Sequence, residues 1–195
     1  MIKKSLLPLA LGGFGIGMTE FVMMGILPDI AGGLAITIPQ AGYLITAYAL
    51  GVVVGAPTLV SLLAKRPPRT VLIWFMLMFA VFNGLSALAP NFGLMLVSRF
   101  LAGLPHGAFF GVGAVVASRL ADEGKVAAAM ATMFTGLTLA NVLGVPLGTW
   151  LGHNMSWRLV FLIVAAIGLV TAVCLKQWVP VIAARPSAGL RKDLA

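Results

Sequence analysis

Six long apolar stretches, separated by short polar connectors, set the pattern of this chain. They run near Leu6–Leu27, Ala41–Leu63, Thr70–Ala89, Leu94–Ser118, Val126–Leu151 and Arg158–Val179. Each holds the run of about twenty residues that an α-helix needs to cross the hydrocarbon core of a bilayer. The pattern predicts an all-α membrane protein, with six transmembrane helices over residues 1–182.

Composition supports the same reading. Hydrophobic residues make up 61% of the chain and charged residues 9%, against roughly 45–50% and 25% in soluble domains. So apolar a chain has no solvated face to offer, and its solvent and first partner is the lipid bilayer. A net charge of +8 could point to nucleic acid, but the basic residues fall between the apolar stretches and form no stripe or basic helix. Nucleic-acid binding is therefore excluded. Lys3 and Lys4 before an apolar run resemble the start of a signal peptide. However, the run continues from Ser5 to Leu27, longer than a signal core, and no small-residue cleavage site follows, so it reads as a membrane helix. The single cysteine, Cys174, excludes an internal disulfide.

The connectors alternate in charge. Lys3 and Lys4, then Lys65, Arg66 and Arg69, then Arg119 and Lys125, then Lys176, Arg185, Arg191 and Lys192 fall on one side. The opposite connectors, 28–40 and 90–93, have no Lys or Arg, and the one after the fifth stretch reaches only Arg158. Basic residues are retained in the cytoplasm, so both termini are expected there; the expected location is a bacterial inner membrane.

Within the stretches, glycines recur at four-residue spacing: Gly13 and Gly17; Gly51 and Gly55; Gly103, Gly107 and Gly111; Gly144, Gly148 and Gly152. Such ridges let helix backbones approach closely in lipid. Pro8, Pro57, Pro105 and Pro146 are expected to kink their helices and free backbone carbonyls.

Two charges stand alone inside the apolar stretches, Glu20 in the first and Arg99 in the fourth. A charge there costs at least ~2.5 kcal/mol and marks a functional site. At the helical rise, Glu20 lies about 10 Å and Arg99 about 8 Å below the same boundary, so the two are placed to meet. A carboxylate that takes up a proton, facing a guanidinium that keeps its own, is the core of a proton-coupled device. His106, seven residues beyond Arg99, shares its face; it either relays protons or hydrogen-bonds a neighbouring helix. Thr138 and Asn141 are expected to make interhelical hydrogen bonds or to line a cavity. Met18, Met23, Met24, Met130 and Met133 offer a soft surface that is either adaptable to substrate or ordinary filler. There is no HExxH, Walker-type phosphate loop or CxxC, and two distant histidines make no metal site. The chain does not read as an enzyme, and no cofactor beyond a proton gradient is expected.

Several of these segments resemble one family. Gly15–Phe21 with Gly25-Ile-Leu-Pro28 is similar to the first helix of the major facilitator superfamily, arabinose-efflux-permease type, in the drug:proton antiporter-1 branch. Arg99-Phe-Leu-Ala-Gly103-Leu-Pro-His106-Gly107 resembles the fourth-helix motif of that group, whose arginine is implicated in proton transfer. Gly136-Leu-Thr-Leu-Ala-Asn-Val-Leu-Gly144-Val-Pro146-Leu-Gly148 resembles its fifth-helix antiporter motif, in which Gly-x-Pro bends the helix and seals the cavity for export. Trp157-Arg158 with Phe161 matches the start of the sixth helix.

The resemblance implies a six-helix half, here the N-terminal one, built as two inverted three-helix repeats, with substrate bound between two halves. It places Glu20, Met24, His106 and Asn141 at the cavity and Glu20 with Arg99 in proton coupling. Gly136, Gly144, Pro146 and Gly148 become the gating motif, and 183–195 the start of a cytoplasmic linker. The second half would come from further natural chain, a separate polypeptide or a second copy. Where the family carries an acid in the connector after the second helix, this chain has Lys65; Lys65, Arg66 and Arg69 remain as a basic motif suited to anionic headgroups. The expected function is proton-coupled efflux of a sugar, drug-like molecule or other metabolite by alternating access. The alternative is a non-transporting membrane module or a truncated remnant packing through its glycine ridges.

Overall fold

The computed structural model describes residues 3–183. Apart from Ala183, the expected linker lies outside the described residues. A 3-10 turn (Lys4–Leu6) leads into α1 (Leu7–Gly25), followed by α2 (Leu27–Gly33), α3 (Ile38–Leu63), α4 (Pro68–Leu88) and α5 (Phe92–Leu120). Then come α6 (Val126–Leu139), a π-helical turn (Ala140–Gly144), α7 (Val145–Asn154) and α8 (Trp157–Trp178). Six segments are long and apolar enough to span a membrane: Lys4–Gly25, α3, α4, α5, the continuous Val126–Asn154, and α8. All six expected spans are present, with boundaries displaced by up to three residues. The short helix α2 departs from the expected pattern, starting at the last residue of the first stretch and filling the first half of a segment that reads as a plain connector.

Local chemistry sets the helix starts. Thr37 and Gln40 form a reciprocal capping box at α3, with Gln40 N–H donating to Thr37 Oγ1 at 3.3 Å and Thr37 N–H to Gln40 Oε1 at 2.9 Å. Asn91 accepts from Leu94 N–H at 3.0 Å to start α5, and Ser156 accepts from Arg158 N–H at 3.2 Å to start α8. Pro8 sits in the first turn of α1, where its missing N–H costs nothing, so the kink expected there has no cause. Pro57 and Pro105 do lie inside helices. Pro146 follows the π turn, in which Val145 N–H donates to Ala140 O. The wider turn makes room for the proline ring against the preceding turn.

The principal helix pairs are α3 with α5, α4 with α8, and α1 with α6 and α7; α4 also meets α5, and α1 meets α8. Exchanging the first three spans for the last three maps this set of contacts onto itself, as two inverted repeats require. Glycines bring the two parallel pairs to backbone contact. A Cβ on Gly51 would collide with the Phe100 carbonyl oxygen, one on Gly55 with that of Leu104, and one on Gly103 with that of Tyr48. In the sister pair, Gly136 lies against the Ala10 carbonyl and Gly13 against that of Met133. Dispersion at this distance stands in for the hydrophobic drive that lipid does not supply.

One end of the bundle is basic. Lys3 Nζ meets Asp122 Oδ1 at 2.6 Å and donates to Leu120 O at 2.8 Å, while Lys4 sits 4.7 Å over the Trp178 ring. Arg69 donates to Lys176 O, and Arg119 to Ala183 O at 2.8 Å. At the opposite end, Arg158 donates to Ala87 O at 2.9 Å and Ala89 O at 2.7 Å, satisfying carbonyls left unpaired where α4 ends. His153 Nδ1 approaches Asp29 Oδ2 at 2.7 Å.

Two expectations follow. Gly136→Ala forces backbones apart and should cost about 1–3 kcal/mol. Gly111→Ala, with nothing within 4 Å of the added carbon, should be neutral or gain up to about 1 kcal/mol in helix propensity; thermal unfolding in detergent distinguishes the two. At the basic end, the hydrogen bond and charge of Lys3 hold the exposed Asp122 carboxyl below its ordinary range. A depressed carboxyl pKa gives a contact that is intact above the unfolded value and lost as pH falls through the folded one. A spin label at Ser5, in a Cys174→Ala background, should gain mobility only at acid pH, whereas Asp122→Asn should show that mobility at neutral pH.

Candidate functional site

Four helices deliver polar side chains to one region. Arg99 on α5 is fully buried. Its Nη1 donates to Thr19 Oγ1 at 2.9 Å and its Nη2 to Thr19 O at 3.1 Å, both on α1. Thr19 in turn donates to Asn83 Oδ1 on α4 at 2.6 Å, and Asn83 Nδ2 to Phe79 O at 2.8 Å. The guanidinium lies 4.3 Å from the centre of the Tyr48 ring on α3 and 5.5 Å from that of Phe161 on α8. Hydrogen bonds and aromatic faces offset part of the cost of burying this charge; Arg99 Nε is left without a partner.

A second branch runs to the open face of the bundle. Tyr48 Oη and His106 Nδ1 are 3.0 Å apart, and His106 Nε2 lies 4.0 Å from Glu20 Oε2. Exposure grows along the chain, from the buried Tyr48 to His106 (side chain 13% exposed) and Glu20 (34%). The histidine tautomer couples the two contacts: if Tyr48 donates to Nδ1, Nε2 carries the hydrogen and presents it to Glu20.

The expected meeting of Glu20 with Arg99 does not occur. The ion pairs among the described residues are Lys3–Asp122, His106–Glu20 and His153–Asp29. Successive helical residues point about 100° apart, so the face of α1 that meets Arg99 carries Thr19 and turns Glu20 toward the open side. His106 makes the expected bond to a neighbouring helix. Met24, one turn beyond Glu20, is 63% exposed. Thr138 and Asn141 bond backward within their own helix, to Phe134 O at 3.4 Å and Leu137 O at 3.1 Å. Interhelical bonds are therefore not formed there, and Asn141 is exposed in the π turn. Gly136, Gly144 and Gly148 all face α1, against Ala10, Phe14 and Val22 respectively. Lys65, Arg66 and Arg69 sit at the basic end, away from this chain of contacts.

Thr19, Tyr48 and Asn83 were not singled out from the sequence. Asn83 was detectable as an amide inside an apolar run, but its partners depend on helix packing. Of the two tyrosines, Tyr48 is buried and Tyr43 exposed, a difference that only the fold reveals.

Thr19→Val keeps the volume but strips Arg99 Nη1 of its acceptor, and should destabilise the bundle by about 1–3 kcal/mol. Thr19→Ser, which keeps the hydroxyl, should recover most of that loss; chemical or thermal unfolding in detergent compares the pair.

The architecture and sequence have clear relatives. The chain is 50% identical over 194 residues to the inner membrane transport protein YdhP of Escherichia coli K12, covering 100% of this chain and 50% of that protein. It is 35% identical over 172 residues to a chloramphenicol resistance protein of Streptomyces lividans, covering 88% of this chain and 44% of that one. It thus spans about half the length of the curated relatives it matches. The solved structure of a bacterial homologue of the human lysosomal transporter Spinster, inward-facing and unoccupied, superposes over 97% of this chain and 46% of its own, with a TM-score of 0.76 at 17% identity. These relatives are named for transport or resistance. The sequence profile of the Major Facilitator Superfamily matches residues 9–193, and the chain belongs to that family.

Proposed function

We propose that this chain supplies one six-helix half of a proton-coupled exporter of small molecules, working by alternating access. The observation that carries the reading is the polar chain from Glu20 on the open face, through His106 and Tyr48, to the buried Arg99. Glu20 is the proton acceptor. Its protonation removes the negative charge opposite His106 and loosens the Tyr48 contact on which the Arg99 packing depends. A cationic or polar substrate displaces that proton by occupying the same carboxylate, so substrate and proton exchange one for one at Glu20. Arg99 is the fixed charge around which the helices shift; Met24, His106 and Asn141 complete the face offered to substrate.

The export direction is supported by the glycine and proline spacing of α6–α7 and by the chloramphenicol resistance relative. A second half is supported by exposure: α3 and the α6–α7 span are the least covered of the six, with Leu50, Val53, Val142, Leu147 and Trp150 more than half exposed. That apolar face flanks the polar cleft, the place where a second six-helix half packs in this architecture. Both termini face the cytoplasm in this reading, on the charge bias of the connectors.

The test is drug-driven proton movement. The natural gene product is reconstituted in liposomes with an imposed pH gradient, using chloramphenicol and a pentose sugar as alternative solutes. The expected result is dissipation of the gradient by at least one of them, abolished by Glu20→Gln and weakened by Tyr48→Phe. Unchanged gradient-driven transport in Glu20→Gln would remove the carboxylate from the mechanism; a response to neither solute favours a non-transporting role.

A further inference from the structure

Two adjoining grooves open at the basic end, outside the polar chain. The larger, of about 510 Å³, lies between the end of α3 and the start of α4 and is walled by Leu59, Leu62, Leu63, Val71, Trp74 and Met78, with Arg66 and Thr70 as its polar lining. The smaller, of about 130 Å³, shares Leu63, Arg66 and Val71 with it and reaches Arg119. Among the described residues no carboxylate lines either groove. Along α4 the larger groove runs from Thr70 to Met78, about 12 Å at the helical rise. That is most of the depth of one leaflet, about 15 Å.

The three arginines nearby are not equivalent. Arg69 is committed to the Lys176 carbonyl and Arg119 to that of Ala183. Arg66 enters no ion pair among the described residues and stands at the rim shared by both grooves. Trp74, 58% exposed, lines the larger groove from the leaflet side.

We propose that the larger groove is a binding site for an anionic phospholipid, with an acyl chain along Leu62, Trp74 and Met78 and the phosphate held by Arg66 beside Thr70. Any lipid tail fits the apolar wall; the unpaired guanidinium at its mouth makes the site selective for a headgroup with net negative charge. The planar fork of arginine matches two phosphate oxygens, and among the described residues no acid lines the grooves to compete for it. Lys65, adjacent in sequence, adds to the positive potential without lining the groove. The proposal rests on the membrane reading alone and is independent of transport.

Bromine-labelled lipids quench tryptophan by contact, and Trp74 reports on the groove. The full chain is reconstituted in nanodiscs in which brominated phosphatidylglycerol or brominated phosphatidylcholine replaces equal shares of the host lipid, and the quenching that disappears in Trp74→Phe is taken as the groove signal. The expected result is an apparent preference of about fivefold for the anionic lipid, the worth of one arginine at such a surface. It should be lost in Arg66→Gln and partly kept in Arg66→Lys. Because Arg66 is exposed, both variants leave the packed core untouched, and unchanged elution and helix content confirm it. Equal quenching by the two lipids overturns the proposal, as does a preference that survives Arg66→Gln, which would assign it to diffuse surface charge. Absence of Trp74-dependent quenching by either lipid also overturns it and assigns the groove to a covering protein segment.

Discussion

A guanidinium with no access to water must find its whole solvation in the protein, and Arg99 does so by drawing on four other helices. Thr19 of α1 accepts two of its bonds, Tyr48 of α3 and Phe161 of α8 provide aromatic faces, and Asn83 of α4 fixes the Thr19 hydroxyl. Each contact is modest, but removing any of them leaves a charge poorly compensated at low dielectric. Arg99 thus helps to set the relative rotation of these helices, together with the glycine faces that admit no side chain.

Glycine contacts act along the helices where Arg99 acts across them. The α1–α6 and α3–α5 pairs run parallel, and in each the backbones meet through small residues. These are the stiff units of the fold. Both pairs join helices from different repeats, so the two repeats interlock and do not stack side by side.

Legibility in the sequence divided along the same lines. Span positions follow from local apolar runs, and the glycine ridges from a four-residue period that a single helix already shows. Glu20 and Arg99 stood out because charge is rare in such runs, and they do belong to one connected region. Their direct pairing was inferred from depth, which leaves rotation about the helix axis undetermined; Thr19 and Glu20 differ in depth by a single residue's rise but face different neighbours. The same gap hid Tyr48 and Asn83, whose roles exist only once α3 and α4 are packed. Asn141 and Thr138 returned their hydrogen bonds to their own helix, an option open to any short polar side chain in a span. Pro8 shows that a proline's effect depends on its distance from the helix start, which the apolar run blurs.

The π turn at Ala140–Gly144 has a geometric consequence for the fifth span. Small residues spaced four apart creep about 40° around an ordinary helix with each repeat. Between Gly136 and Gly152 that creep would reach about 160°, placing the two on nearly opposite sides. Yet Gly136 faces Ala10 of α1 and Gly152 faces Ile26, the residue that caps the far end of α1. The surplus residue in the wide turn takes back about 100° of the creep. It works like a leap day, a single insertion that keeps a drifting calendar in step with its season.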